Sequence, residues 1–208
     1  YAHPILPLLQ ELDCAREAWP QIEMPLLGRY PGGEARARWH IEHGLQVFTT
    51  AFGCRPGGCW PAEGGVSQAS LTLLNEFGFH WAASGGAVLD HTLDAAEQPA
   101  GPGEWHRAYQ PAELSGERSL RCFFRDDGLS DAIGFTYSGW HGDDAVANLV
   151  ERLEQIAAHA VEPEHTVISI IMDGENAWEH YPLNGYYFLN GLYHRLSEHP
   201  QLTLTTFS

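Results

Sequence analysis

The sequence predicts an α/β protein built on a parallel sheet. Two observations carry this. Short apolar runs, clearest at 167–171 and 119–124, alternate with longer segments of helical spacing such as 143–159. No hairpin turn signal separates them, and strands alternating with helices imply parallel pairing. A third observation places chemistry on that fold. The β-branched run 167–171 stops abruptly at Met172-Asp173-Gly174, so a strand would fix a carboxylate and the glycine would let the chain turn at once. In α/β barrels catalytic groups stand at the C-terminal ends of strands, which makes Asp173 the first candidate catalytic residue.

The elements follow in order. Tyr1 to Leu9 is apolar with two prolines and reads as a loop entering a short helix. His3 precedes Pro4 and is held extended, either as a structural loop histidine or as a binding residue. Residues 10–33 are irregular. Residues 34–52 have helical spacing and carry His40 and His43 three apart; no further ligand pattern accompanies them, so no metal site is assigned. Residues 53–65 read as a Gly/Pro loop, 66–77 as a helix and 78–84 as a short strand. Glu63 therefore stands just before a helix N-terminus, where it caps the helix or acts in a pocket walled by Trp60. Residues 85–118 read as a long excursion over one face.

The strand 119–124 ends in Arg125-Asp126-Asp127, with Asp131 close behind. Arg125 and Asp126 are candidates for an ion pair lining the site or for substrate contact. Residues 143–159 place Val146, Leu149, Val150, Leu153 and Ile156 on one helical face, and 186–197 form another helix. A last strand begins near Leu202. The abrupt ends, Tyr1 and a strand-like tail, suggest a piece of a longer protein.

Composition narrows the function. The chain has 208 residues, 44% of them apolar, which suffices for one domain with a sizeable core. Its net charge of −16 excludes a nucleic-acid or anionic-membrane partner, since both are bound through Lys and Arg. Seven Trp and eight Tyr suit a neutral sugar surface, although most must serve the core. Four cysteines fit neither a zinc motif nor a disulfide framework, so reduced thiols and a cytoplasmic location are expected. No membrane-length apolar run, phosphate-binding loop or cofactor motif occurs.

Glu63 and Asp173, each in an aromatic loop, form the carboxylate pair that glycosidic cleavage requires, and Trp60 and Trp178 could offer flat faces to sugar rings. Here the residues carry a resemblance. Gly58-Cys-Trp-Pro-Ala-Glu-Gly-Gly-Val-Ser67 resembles the nucleophile region of glycoside hydrolase family 57, and Met172-Asp-Gly-Glu-Asn-Ala-Trp-Glu-His-Tyr-Pro182 its acid/base region. His3-Pro-Ile-Leu-Pro-Leu-Leu9 and residues 123–135 are similar to further stretches of its amylopullulanase-like branch.

The resemblance implies a partial, seven-stranded TIM-like barrel over 1–208. The family's N-terminal His-Gln-Pro motif and its C-terminal helical region would lie elsewhere in the parent chain, whose remainder completes the barrel. It implies a retaining enzyme on α-glucans, with Glu63 as nucleophile and Asp173 as general acid/base, their carboxyls about 5–5.5 Å apart. It implies no cofactor. His3, Trp60, Arg125, Asp126, Glu175 and Trp178 are the substrate-binding candidates; Glu175 and Glu179 are substrate-binding residues or structural support, not catalytic groups. A 4-α-glucanotransferase or branching enzyme shares this chemistry up to the acceptor. A metal-dependent deacetylase would need a His/His/Asp set, and a non-catalytic sugar-binding domain would not need both acids.

Overall fold

The computed structural model describes residues 2–18, 21–24, 29–95, 104–114, 119–174 and 178–207. They fall into two compact units. The first comprises Tyr1–Glu104, Pro111–Phe124 and Phe207–Ser208; the second comprises Trp105–Gln110 and Arg125–Thr206.

In the first unit the chain runs through α1 (Leu6–Gln10), α2 (Ala15–Ala18) and α3 (Gly33–Phe52), then β1 (Gly58–Cys59) and α4 (Gln68–Glu76). It continues through β2 (Trp81–Gly85), α5 (Gly86–Ala95), β3 (Ala112–Leu114) and β4 (Leu120–Arg125), whose last residue belongs to the second unit. The four strands form one sheet in the order β1-β2-β4-β3. β1 and β2 are parallel, with Gly58 opposite Trp81. Leu6, Ala37, Ile41, Leu45, Leu73, Leu74, Ala82 and Leu120 form the core, gathering the apolar faces of α1, α3 and α4 with the sheet. α4 starts at a capping box: the Ser67 hydroxyl accepts from the Ser70 N–H, and the Ser70 hydroxyl accepts from the Ser67 N–H.

Three expectations for this unit change. The loop 53–65 contains β1, a strand two residues long and therefore without periodicity. The excursion 85–118 contains α5, which follows β2 directly, a short 3-10 segment Glu104–Tyr109 and β3. β3 pairs antiparallel with β4, so the sheet is not wholly parallel.

The second unit is led by α6 (Asp127–Asp131), α7 (Gly142–Ala158) and α8 (Tyr186–Ser197). Leu129, Ile133, Tyr137, Val146, Leu149, Leu153, Tyr181, Phe188, Leu192 and Leu196 make its core, so α7 and α8 bury the stripes that their spacing predicts. The run 167–171 is extended but pairs as a strand only at Ser169, in a parallel bridge to Arg125. No strand forms at Leu202 among the described residues; Leu202 packs on this core. None of the described helices is long and apolar enough to cross a membrane.

None of the four cysteines forms a disulfide, and their surroundings differ sharply. Cys54 is exposed. Burial pushes the Cys59 thiol up to about 12, with Cys122 adding to the shift, and pushes Cys122 up to about 11. Cys14 is buried. A raised thiol pKa leaves less thiolate, which is the reactive form. In the native protein at pH 7.5 an aromatic disulfide reagent is therefore expected to label one thiol of this segment rapidly. Cys54→Ser should remove that phase, and a fast phase that survives the substitution would contradict the assignment.

Candidate active site

Glu63 sits on a strained turn that follows β1. Pro61 enters extended, and Glu63 and Gly64 then both take left-handed backbone angles, with φ of 58° and 63°. For a glutamate that conformation costs about 1 kcal/mol and must be held by its surroundings. The Gly64 N–H donates to the Pro61 carbonyl at 2.8 Å, and the buried Ser84 hydroxyl donates to the Gly64 carbonyl at 2.7 Å. A Cβ at Gly64 would lie 2.7 Å from the Trp60 ring, so the ring fills the space beneath the turn and only glycine fits there. The Glu63 side chain is left 70% exposed at the tip. The cap of α4 belongs to Ser67, which removes helix capping as the account of Glu63.

His3 meets Glu63. Its Nε2 lies 3.0 Å from Glu63 Oε1, with both side chains exposed. The histidine that the sequence left between loop and binding residue is thus the carboxylate's hydrogen-bond partner. Trp60 is half-buried and holds the turn from below.

Asp173 stands in the second unit, exposed, at the end of the extended segment. Backbone bonds from Asp126 and Tyr109 and side-chain bonds from Arg125 and Ser130 hold that segment. The Asp126 N–H donates to the Ser169 carbonyl at 2.9 Å, and the Val167 N–H to the Tyr109 carbonyl at 2.8 Å. Arg125 Nε donates to the Ile171 carbonyl at 2.8 Å, and the Ile171 N–H donates to the buried Ser130 hydroxyl at 3.2 Å.

Arg125 and Asp126 direct their polar atoms at the protein itself. The two terminal nitrogens of Arg125 donate to Asp127 Oδ1 and Asp131 Oδ1, each at 2.6 Å. Burial pulls the Arg125 pKa down, but its hydrogen bonds to Asp131 and Asp127 outweigh that and the guanidinium stays charged. Asp126 caps α6, accepting from the Leu129 N–H at 2.7 Å, and its other oxygen accepts from the Tyr109 hydroxyl at 2.6 Å. Burial first, and then the Asp126 carboxylate, hold the Tyr109 phenol above its ordinary value, so it remains a donor.

Trp178 is half-buried, with ring centroids 5.4 Å from Tyr181 and 6.1 Å from Phe188. Gly185, at φ +80°, leaves room for its ring, from which an added Cβ would be 2.8 Å away. Trp178 therefore serves the core. Glu175 lies outside the described residues. Among the described residues no group of three or more His, Cys, Asp or Glu is placed to hold a metal ion; His40 and His43 instead pack their rings against Trp39. Ser84, Ser130 and Tyr109 were not legible as site supports. Their only signal was a hydroxyl beside apolar residues at a strand or helix end.

The fold is of the mixed α/β class, on a four-stranded sheet with parallel and antiparallel pairs. The structure of a 4-alpha-glucanotransferase from Thermococcus litoralis superposes with a TM-score of 0.53 at 16% identity, over 79% of this chain and 23% of that one. This chain thus spans about a quarter of the length of that protein. The family model described as "Glycosyl hydrolase family 57" matches residues 1–208, and the chain belongs to that family. No curated protein matches it.

Proposed function

We propose that the protein containing this chain is a retaining glycosidase acting on α-glucans, with Glu63 as nucleophile and Asp173 as general acid/base. The observation that carries this reading is Glu63 itself. An exposed carboxylate is held on a left-handed turn by Trp60, Gly64 and Ser84, with His3 on one oxygen. Strain of this kind, over-determined by its surroundings, marks functional positions.

In the first step Glu63 attacks the anomeric carbon as the bond to the leaving oxygen breaks, and Asp173 gives its proton to that oxygen. In the second, Asp173 takes a proton from water, whose oxygen attacks the anomeric carbon and releases Glu63. His3, by hydrogen bonding to Glu63, orients the attacking carboxylate. A net charge of −16 suits an uncharged polysaccharide. Family membership and the glucanotransferase fold neighbour support the class of substrate. That neighbour also favours a second reading, in which a sugar hydroxyl replaces water and the outcome is transfer.

The test is incubation of the full-length protein with starch, glycogen, pullulan and maltooligosaccharides, with and without chelator. Reducing-sugar release with retained anomeric configuration is expected, unaffected by chelator. Redistribution of maltooligosaccharide lengths without net reducing sugar would select the transferase. Chelator-sensitive acetate release from an acetylated polysaccharide would replace both readings with a deacetylase.

A further inference from the structure

We propose that Arg125 and Ser130 are positioning residues for the acid/base, acting together on the peptide of Ile171. The inference rests on the reading of Asp173 as acid/base. Ile171 precedes Asp173 by two residues. Both of its backbone polar groups are held by side chains where a neighbouring strand would ordinarily hold them: its N–H donates to Ser130 Oγ at 3.2 Å and its carbonyl accepts from Arg125 Nε at 2.8 Å. Beyond the Ser169 bridge, these two bonds take the place of the ladder.

The clamp is itself fixed. Ser130 is fully buried, and the Arg125 side chain is only 19% exposed. Asp127 and Asp131 hold the two terminal nitrogens of the guanidinium, so its planar fork is locked and Nε has one direction left to point. Asp173 and Gly174 are exposed; behind the carboxyl the Met172 side chain packs on the core, and the Ile171 peptide is where side chains fix the backbone itself. A proton donor displaced by about 1 Å loses on the order of 10²-fold in rate. Lysine would keep the charge between Asp127 and Asp131, but its donors share one nitrogen, which cannot stand between the two carboxylates and also at the Nε position facing Ile171. A role limited to charge balance would therefore survive Arg125→Lys, and a positioning role would not.

The readout is leaving-group dependence. In the full-length protein, kcat/KM is measured for a maltooligosaccharide, whose departing sugar alkoxide must be protonated, and for its nitrophenyl glycoside, whose phenolate leaves almost unaided. This parameter covers only the steps up to the glycosyl-enzyme. Arg125→Lys and Ser130→Ala are each expected to lower it about 10²-fold for the sugar leaving group and about tenfold less for the aryl one. Asp173→Asn is the benchmark and should show the same split, larger. If Asp173→Asn splits the two substrates and neither clamp variant does, the positioning inference is overturned. If Asp173→Asn itself shows no split, the acid/base reading falls and the inference with it. Ser130→Ala carries the test alone should Arg125→Lys not fold.

Discussion

Glu63→Gln is expected to lower kcat/KM on α-glucan by at least about 10³-fold while leaving thermal stability within about 0.5 kcal/mol of the parent. The amide keeps the shape and can still hydrogen-bond to His3, but it has no carboxylate lone pair to form the glycosyl ester. Stability is spared because the side chain is exposed. Asp173→Asn should lose about 10²–10⁴-fold on the same substrate, the span of general acid–base catalysis, and less on substrates with a good leaving group. The turn adds an independent signature. Glycine elsewhere costs 0.5–1 kcal/mol, but at φ 58° it relieves a strain of about 1 kcal/mol. Glu63→Gly is thus expected to abolish turnover with a melting temperature equal to the parent's or higher. Added azide should restore turnover in that variant with an inverted glycosyl azide as product. Glu63→Gln at near-parental activity would remove Glu63 from the mechanism.

Gly33→Ala is expected to destabilise the first unit by about 3 kcal/mol, against the usual sign for such a change in a helix. In an exposed helix, alanine stabilises relative to glycine by about 1 kcal/mol. Here a Cβ would lie 1.5 Å from the Leu9 carbonyl oxygen and 2.7 Å from its carbon. The obstacle is backbone, so no rotamer change can relieve it. α1 would have to move away from α3, opening the core that Leu6 shares with Ala37 and Ile41. At the size of this chain, 3 kcal/mol corresponds to a fall of about 6–12 °C in Tm. Gly134→Ala is the control: nothing lies within 4 Å of its added Cβ, so a change within about 1 kcal/mol is expected. Equal melting of Gly33→Ala and the parent would mean that α1 does not seat on α3 as described.

The helices were the most legible part of the fold. Residues 34–52, 66–77, 143–159 and 186–197 correspond to α3, α4, α7 and α8 within a residue or two at each end. Each carries an apolar stripe at a period near 3.6, a signal that local sequence cannot hide. The strands were less legible because their identity depends on partners. β1 is two residues long and exists through its pairing with Trp81, whose ring occupies the space a side chain at Gly58 would need. The run 167–171 has the composition of a strand, but only Ser169 finds a strand partner.

For the candidate site, the sequence by itself determined which acids to consider. It marked Asp173 by the abrupt end of an apolar run and Glu63 by its Trp-Pro and Gly-Gly flanks, and a resemblance in the same residues named the family that the whole chain matches. Only the tertiary structure decided what surrounds those acids. It gave the α4 cap to Ser67, set His3 beside Glu63, drew Trp178 into the core, and turned Arg125 and Asp126 inward to hold the approach to Asp173. The physical reason is range. Periodicity and turn chemistry act within a few residues and are written in the local sequence, whereas Ile171 and Arg125 meet across 46 residues, where only the folded chain chooses among several possible partners for each charge.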